Sequence, residues 1–231
     1  MATQSGNLVE SIHHATAWEE AYSRFETPEQ EIRKFTKRLK SMGFQSLRRD
    51  LAVVELFCGR GNGLIALSRM GFSHLDGVDL SPFLLSQYSG TAECHVADCC
   101  SLPFERHSKN CVVIQGGLHH LQFIPDDLDR CLREIHRILS PQGQVFIVEP
   151  WLTPFLSIVH AICKSKWIRR LVPKIDALAT MIEQEHVTYF QWLNQPKQIL
   201  AALDHYFVCK RVQCRWGKLI LVGCVRKQEC A

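Results

Sequence analysis

Glu55, the alternating glycines Gly59, Gly61 and Gly63, and the acids Asp79 and Asp98 have the types and spacing of a strand running into a phosphate- or nucleoside-binding turn. Glycines at that density let a backbone turn tightly against a ligand. The helical spacing of Leu64 to Met70 that follows would aim the turn's amides, at a helix start, toward whatever is bound. Asp79 lies 20 positions beyond Gly59, where an acid commonly accepts from a ribose diol. Asp98 ends another short apolar run, where a carboxylate and backbone can meet a base edge. A purely structural turn remains the competing reading of the glycines alone, because Gly-x-Gly-x-Gly is not the spacing of a dinucleotide fingerprint. Further along, His119 and His120 follow an apolar run, and imidazoles titrate close enough to neutrality to take a proton from an acceptor. They could equally cap a turn. Cys99-Cys100 invites a metal or redox reading, but adjacent cysteines seldom chelate one ion and no histidine cluster completes the set, so no metal is expected.

The elements needed to position these residues alternate in type. Apolar runs at 51–56, 74–78, 94–97, 111–114 and 144–148 predict strands, and residues 126–139 place Leu128, Leu132, Ile135 and Leu139 on one helix face. Strand and helix in alternation predict an α/β, mostly parallel sheet covered on both sides, with ligand at the carboxyl ends of the strands. Residues 207–214 and 219–226 then form a hairpin across Arg215-Trp216-Gly217-Lys218. Before the first strand, 8–25 and 29–42 have helical spacing, with Thr27 and Pro28 as a start signal. Their Trp18, Tyr22 and Phe25 either close the crevice or simply pack.

Four segments in order carry a resemblance. They are VVELFCGRGNG, LDGVDLS with Asp79, VADCCSLPF with Asp98, and HRILSPQGQVFIVEP, spanning about 51–150. Through them the chain resembles class I methyltransferases that use S-adenosylmethionine, and in particular the ubiquinone and menaquinone biosynthesis (methyltransferase type 11) family. The resemblance implies a Rossmann-like, doubly wound, seven-stranded sheet closed by an antiparallel hairpin. It also implies that Glu55 and the amides near Gly59 and Gly61 hold the methionine part of the cofactor. Asp79 would take the ribose hydroxyls, Leu80 would pack on the adenine, Asp98 and Cys99 would meet its amino edge, and Gln115 would run beside the methionine end. Phe57 departs from the family, standing where glycine is usual; it either narrows the methionine site or fills the floor under the turn. An acid after the second strand would also suit an NAD-type dehydrogenase, but the glycine spacing favours the methyl donor. The segment QGGLHHLQF is not the Asn/Asp-Pro-Pro-aromatic sequence of base-modifying relatives, which argues against DNA as substrate.

At 231 residues, 46% apolar and 22% charged, the chain can build one sizeable core with a helical cap over 1–50 ahead of a methyltransferase domain over 51–231. A net charge of +4 does not require nucleic acid, and the 11 cysteines read as buried thiols in a reducing cytoplasm. The amino end lacks a secretion signal. Residues 150–205 are expected to select the substrate. There WLTPFLSIVHAIC is too short to span a bilayer, for which about 20 residues are needed, and is followed by Lys164, Lys166, Arg169, Arg170 and Lys174, interleaved with Trp167, Ile168 and Leu171. This segment, 151–174, reads either as a surface helix meeting anionic lipid or as an ordinary solvated helix. Farther on, Glu185, Tyr189 and Trp192 fall on one helix face, lining a pocket or bracing a lid. Three functions follow: methylation of a small or lipid-like metabolite on oxygen or carbon, methylation of RNA or protein using Arg33 to Lys40 and Arg48-Arg49 as a basic arm, or a non-catalytic binding fold. The first leads, since no aromatic and basic stripe accompanies the arm.

Overall fold

Seven strands form a single sheet in the order β3-β2-β1-β4-β5-β7-β6 in the computed structural model, which describes residues 17–226. Strands β1 (Val53–Leu56), β2 (Leu75–Asp79), β3 (Glu93–Val96), β4 (Lys109–Gln115) and β5 (Leu139–Pro150) run parallel. β6 (Phe207–Arg215) and β7 (Lys218–Val225) close the sheet as an antiparallel hairpin on β5. Its turn is two residues, Trp216 and Gly217, both at positive φ (52° and 72°), the backbone that matches the strands' twist. The order of connection reverses at β1, so the loops leaving the paired strands β1 and β4 part from one another and leave a crevice at the strands' carboxyl ends.

Helix α1 (Pro28–Ser41) begins on the capping box of Thr27 and Gln30 and turns Ile32, Phe35 and Leu39 into the core face that also holds Phe44, Val53, Phe72 and Phe146. Two residues of the basic arm are engaged locally: Arg49 donates to the carbonyls of Leu47 and Gln45 and lies over the Phe72 ring at 4.8 Å, and Arg48 pairs with Asp50. α2 (Asn62–Arg69) follows the glycine turn, short α3 (Pro82–Leu85) follows β2, and α4 (Asp126–Ile138) buries Leu128, Leu132 and Ile135 on the opposite face as its spacing predicts.

Between β5 and β6 lie five helices: α5 (Pro154–Cys163), α6 (Lys166–Leu171), α7 (Pro173–Gln184), α8 (His186–Asn194) and α9 (Pro196–Tyr206). Trp192 is fully buried and its indole N–H donates to the Pro150 carbonyl at 2.8 Å, so it braces the insertion. Residues 17–25 are helical; the remainder of the amino-terminal helix expected from residue 8 lies outside the described residues, as does the tail from 227.

Candidate active site

The glycine turn is shaped by what packs against it. Gly61 sits at φ +78°, and a Cβ there would come within 2.2 Å of the Tyr88 ring, whose hydroxyl accepts from the Ala92 amide. Only glycine admits both the left-handed backbone and the ring. Gly63, in the first turn of α2, leaves room for the Glu55 carboxylate: a Cβ there would be 1.8 Å from Glu55 Oε1.

Glu55 is buried at the tip of β1, and its Oε2 has no hydrogen-bond partner. Burial, reinforced by the nearby Glu31 charge, pushes its carboxyl up to about 8 despite the pull of Gln115. Gln115, at the end of β4, lies near enough to favour the ionised form, yet both its amide atoms lack partners in hydrogen-bonding geometry. Two buried polar groups thus stand open at the tips of adjacent strands, with capacity for a further hydrogen-bonding partner. An α-amino group carried on a sulfonium nucleoside is one such partner.

Asp79 serves the turn as well as any ligand: Oδ2 accepts from the Gly59 amide at 2.8 Å and Oδ1 from the Ser81 amide at 2.9 Å. Each carboxylate oxygen retains lone-pair capacity for a further donor. Leu80, next in the chain, is 66% exposed, an apolar face suited to stacking a base. Asp98 is exposed and accepts from the Cys100 amide. Cys99 can meet a base edge only through its backbone. Its side chain is buried in the core with Leu102 and Cys131, because the turn at Asp98 sends the next side chain inward. Phe57, at φ 57°, packs against the loop after β4: a Cβ on Gly117 would be 2.2 Å from its ring.

The loop after β4 forms a second cluster. Glu149, at the end of β5 and fully buried, accepts from the amides of Gly117 (2.8 Å) and Leu118 (2.9 Å) and lies 2.7 Å from His119 Nδ1. Glu185, between α7 and α8, faces His119 Nε2 at 3.6 Å and His120 Nδ1 at 3.8 Å. Burial alone would lower the His119 pKa, but Glu149 and Glu185 outweigh it and hold the ring protonated to about 9. The two carboxylates favour the protonated ring, which opposes the expected role of His119 as a base. His120, 40% exposed at its side chain, is lowered by the crowding of protein around it and by the His119 charge. Burial alone would raise Glu149, but His119 and the two amides hold it below the usual carboxylate range. Tyr189 closes this wall, buried, with its hydroxyl 3.0 Å from His160 Nε2. Glu149 carries no role in the sequence reading; an acid between Val148 and Pro150, at the end of an apolar strand, was the available signal.

Residues 17–25 cover the crevice. Trp18 stacks on Tyr22 at 4.8 Å, Arg60 of the glycine turn lies over the Tyr22 ring, and Arg24 pairs with Asp176 of the insertion. A cleft of about 470 Å³ lined by Glu19, Arg24, Arg60 and Gln87 runs between this helix and the turn. Arg169, expected among the surface cations, is instead held by Asp176 and Glu183.

The sheet order, the glycine turn and the acids near successive strand tips define the class of fold: that of class I methyltransferases. Residues 54–147 match the methyltransferase domain family. Among individual proteins, the chain is 28% identical over 169 residues to demethylmenaquinone methyltransferase of Staphylococcus aureus (strain MRSA252), covering 68% of this chain and 63% of that protein. It is 25% identical over 139 residues to a sterol 4-C-methyltransferase of Caenorhabditis elegans, covering 54% and 40%. The chain spans less than two thirds of the length of these curated relatives. Its fold is that of geranyl diphosphate C-methyltransferase from Streptomyces coelicolor A3(2), solved with S-adenosyl-L-homocysteine, at a TM-score of 0.59 and 13% identity over 82% of this chain and 75% of that one.

Proposed function

We propose that this protein transfers a methyl group from S-adenosylmethionine to oxygen or carbon of a small, lipid-like acceptor. The observation that carries this reading is the open cradle at the tips of β1 and β4, where buried Glu55 and Gln115 present polar atoms without partners beside the glycine turn. Glu55 and Gln115 would hold the methionine end, Asp79 the ribose hydroxyls, Leu80 the adenine face and Asp98 its edge. The cofactor supplies an electrophilic methyl group. The protein's part is alignment and exclusion of water. The aromatic helix 17–25 roofs the crevice, while His119 and His120 form the polar pole toward which an acceptor hydroxyl or enol turns.

A lipid-like acceptor is supported by the outer face of the insertion. Trp167 (77% exposed) and Leu171 (78%) stand on one side of α6, and Ile158, Phe155 and Trp216 are also exposed, the last two in edge contact at 5.3 Å. Lys164, Lys166, Arg170 and Lys174 are exposed among them. Apolar anchors with cations interleaved suit the surface of an anionic bilayer. Among the described residues no helix is long and apolar enough to cross a membrane, so such contact would be peripheral. The experiment is incubation of the protein with methyl-labelled donor and a fractionated cell extract. Label entering the lipid fraction supports the reading; label entering RNA or protein, or none at all, contradicts it.

A further inference from the structure

The cluster at the end of β4 has features that an ion pair alone does not require. His119 and His120 come from the loop after β4 and Glu185 from the break between α7 and α8, more than 60 positions later in the chain. One donor atom from each lies within 4.8 Å of the other two. The separations, 3.6 Å from Glu185 Oε2 to His119 Nε2 and 3.8 Å from Glu185 Oε1 to His120 Nδ1, are too long for hydrogen bonds. Each approaches the spacing of two ligands about 2.1 Å from a shared ion, which stand about 3.4 Å apart at a tetrahedral angle, with one carboxylate oxygen turned to each ring.

Behind His119 stands an orienting carboxylate. Glu149 Oε2 is 2.7 Å from Nδ1, and Glu149 Oε1 is fixed by two backbone amides. A carboxylate can only accept, so Nδ1 carries the hydrogen and Nε2 is the nitrogen turned to Glu185. That is the arrangement found behind metal-bound imidazoles, where a second carboxylate fixes ring and tautomer. The two other clusters of metal-ligating side chains among the described residues lack this disposition. At Asp76, Glu93 and His95 a cation is already in place, since Lys109 Nζ lies 2.6 Å from Asp76 Oδ2. At Asp98, Cys99 and Cys100 the middle thiol is turned into the core.

We propose that His119, His120 and Glu185 bind one first-row divalent metal ion, such as Zn²⁺ or Mn²⁺, and that the ion holds a phenol or enol oxygen of the methyl acceptor. Two imidazoles and one carboxylate are the donor set such ions accept, and three protein ligands leave a position for an outside oxygen. The ion replaces the proton on His119 Nε2. An acceptor hydroxyl bound to it ionises near neutral pH, and its proton passes to water. This inference rests on the methyl-transfer reading for the acceptor, while the ion site itself stands on geometry.

The test uses the full chain, stripped with chelator and dialysed, and titrated calorimetrically with Zn²⁺ and with Mn²⁺, alongside Co²⁺ monitored by visible absorption. The expected result is one equivalent bound and a Co²⁺ spectrum of nitrogen and oxygen ligation. Glu185→Gln and, separately, His120→Gln should weaken binding roughly 100-fold or more, since loss of an outer partner alone costs about 10–100-fold. Both variants should bind S-adenosylhomocysteine as the parent does. Failure of the parent to take up one equivalent, or unchanged uptake by both variants, overturns the site. If S-adenosylhomocysteine binds and metal does not, the ion is wrong and the methyl-transfer reading survives. If metal binds and the nucleoside does not, the ion site stands and the reaction assigned to it falls.

Discussion

Affinity for S-adenosylhomocysteine should rise as pH increases from 6 to 8 and then level off, because the buried carboxyl that meets the amino group must first lose a proton. Glu55 is held up to about 8 by burial and by Glu31. An ammonium group binds the ionised form better, so each unit of pH below 8 costs up to about 1.4 kcal/mol, or tenfold. The loss is about tenfold at pH 7 and at most about 100-fold at pH 6. His119, titrating at about 9, keeps its charge through this window and does not contribute to the slope. Calorimetry in two buffers of different ionisation enthalpy should show release of nearly one proton per ligand at pH 7, falling as pH approaches 8. Adenosine, which lacks the amino acid end, should show neither effect. Glu55→Gln should abolish the slope and fix affinity near or below the low-pH value of the parent. A flat profile from pH 6 to 8.5 in the parent, or an equal slope with adenosine, would refute the reasoning that places the ligand's cation at Glu55.

Other expectations follow from single contacts. Asp79→Ala removes the acceptor for two backbone amides as well as for the ribose, so S-adenosylhomocysteine affinity by calorimetry should fall by about 1.5–3 kcal/mol; unchanged affinity removes Asp79 from the site. Gly61→Ala drives a methyl group against the Tyr88 ring on a left-handed backbone, at a cost of about 2–4 kcal/mol in denaturant unfolding. Combining it with Tyr88→Ala should recover about 1 kcal/mol or more relative to additivity, and strict additivity would show that the ring is not the obstacle. Trp192→Phe leaves the buried Pro150 carbonyl without its donor and opens a small cavity, so stability should fall by about 2–4 kcal/mol; a loss under about 0.5 kcal/mol would mean the insertion is not braced there.

The centre of the sheet was legible because β1, β4 and the second half of β5 are buried on both faces and therefore read as apolar runs between glycines and acids. β1 is wholly buried, and the run ending at Glu55 announces it. The crevice was legible for the same reason: Glu55, Asp79 and Asp98 close successive strands, and sheet topology brings strand tips together. Side-chain direction was not legible. Cys99 and Asp98 are neighbours, yet one enters the core and the other faces solvent, a consequence of the local turn that spacing does not encode. Nor was long-range pairing. The convergence of Glu149, Glu185 and His119 depends on how the insertion folds back over β5, and Arg169 is drawn out of the basic surface by two acids on α7 for the same reason.

A crystal structure with S-adenosylhomocysteine bound bears most directly on the central claim. The ribose hydroxyls should lie within hydrogen-bonding distance of Asp79, with the amino group facing Glu55 and Gln115 and the adenine against Leu80. A crevice still closed by Tyr88 and Phe57 at saturating ligand, or a nucleoside bound elsewhere, would contradict the account.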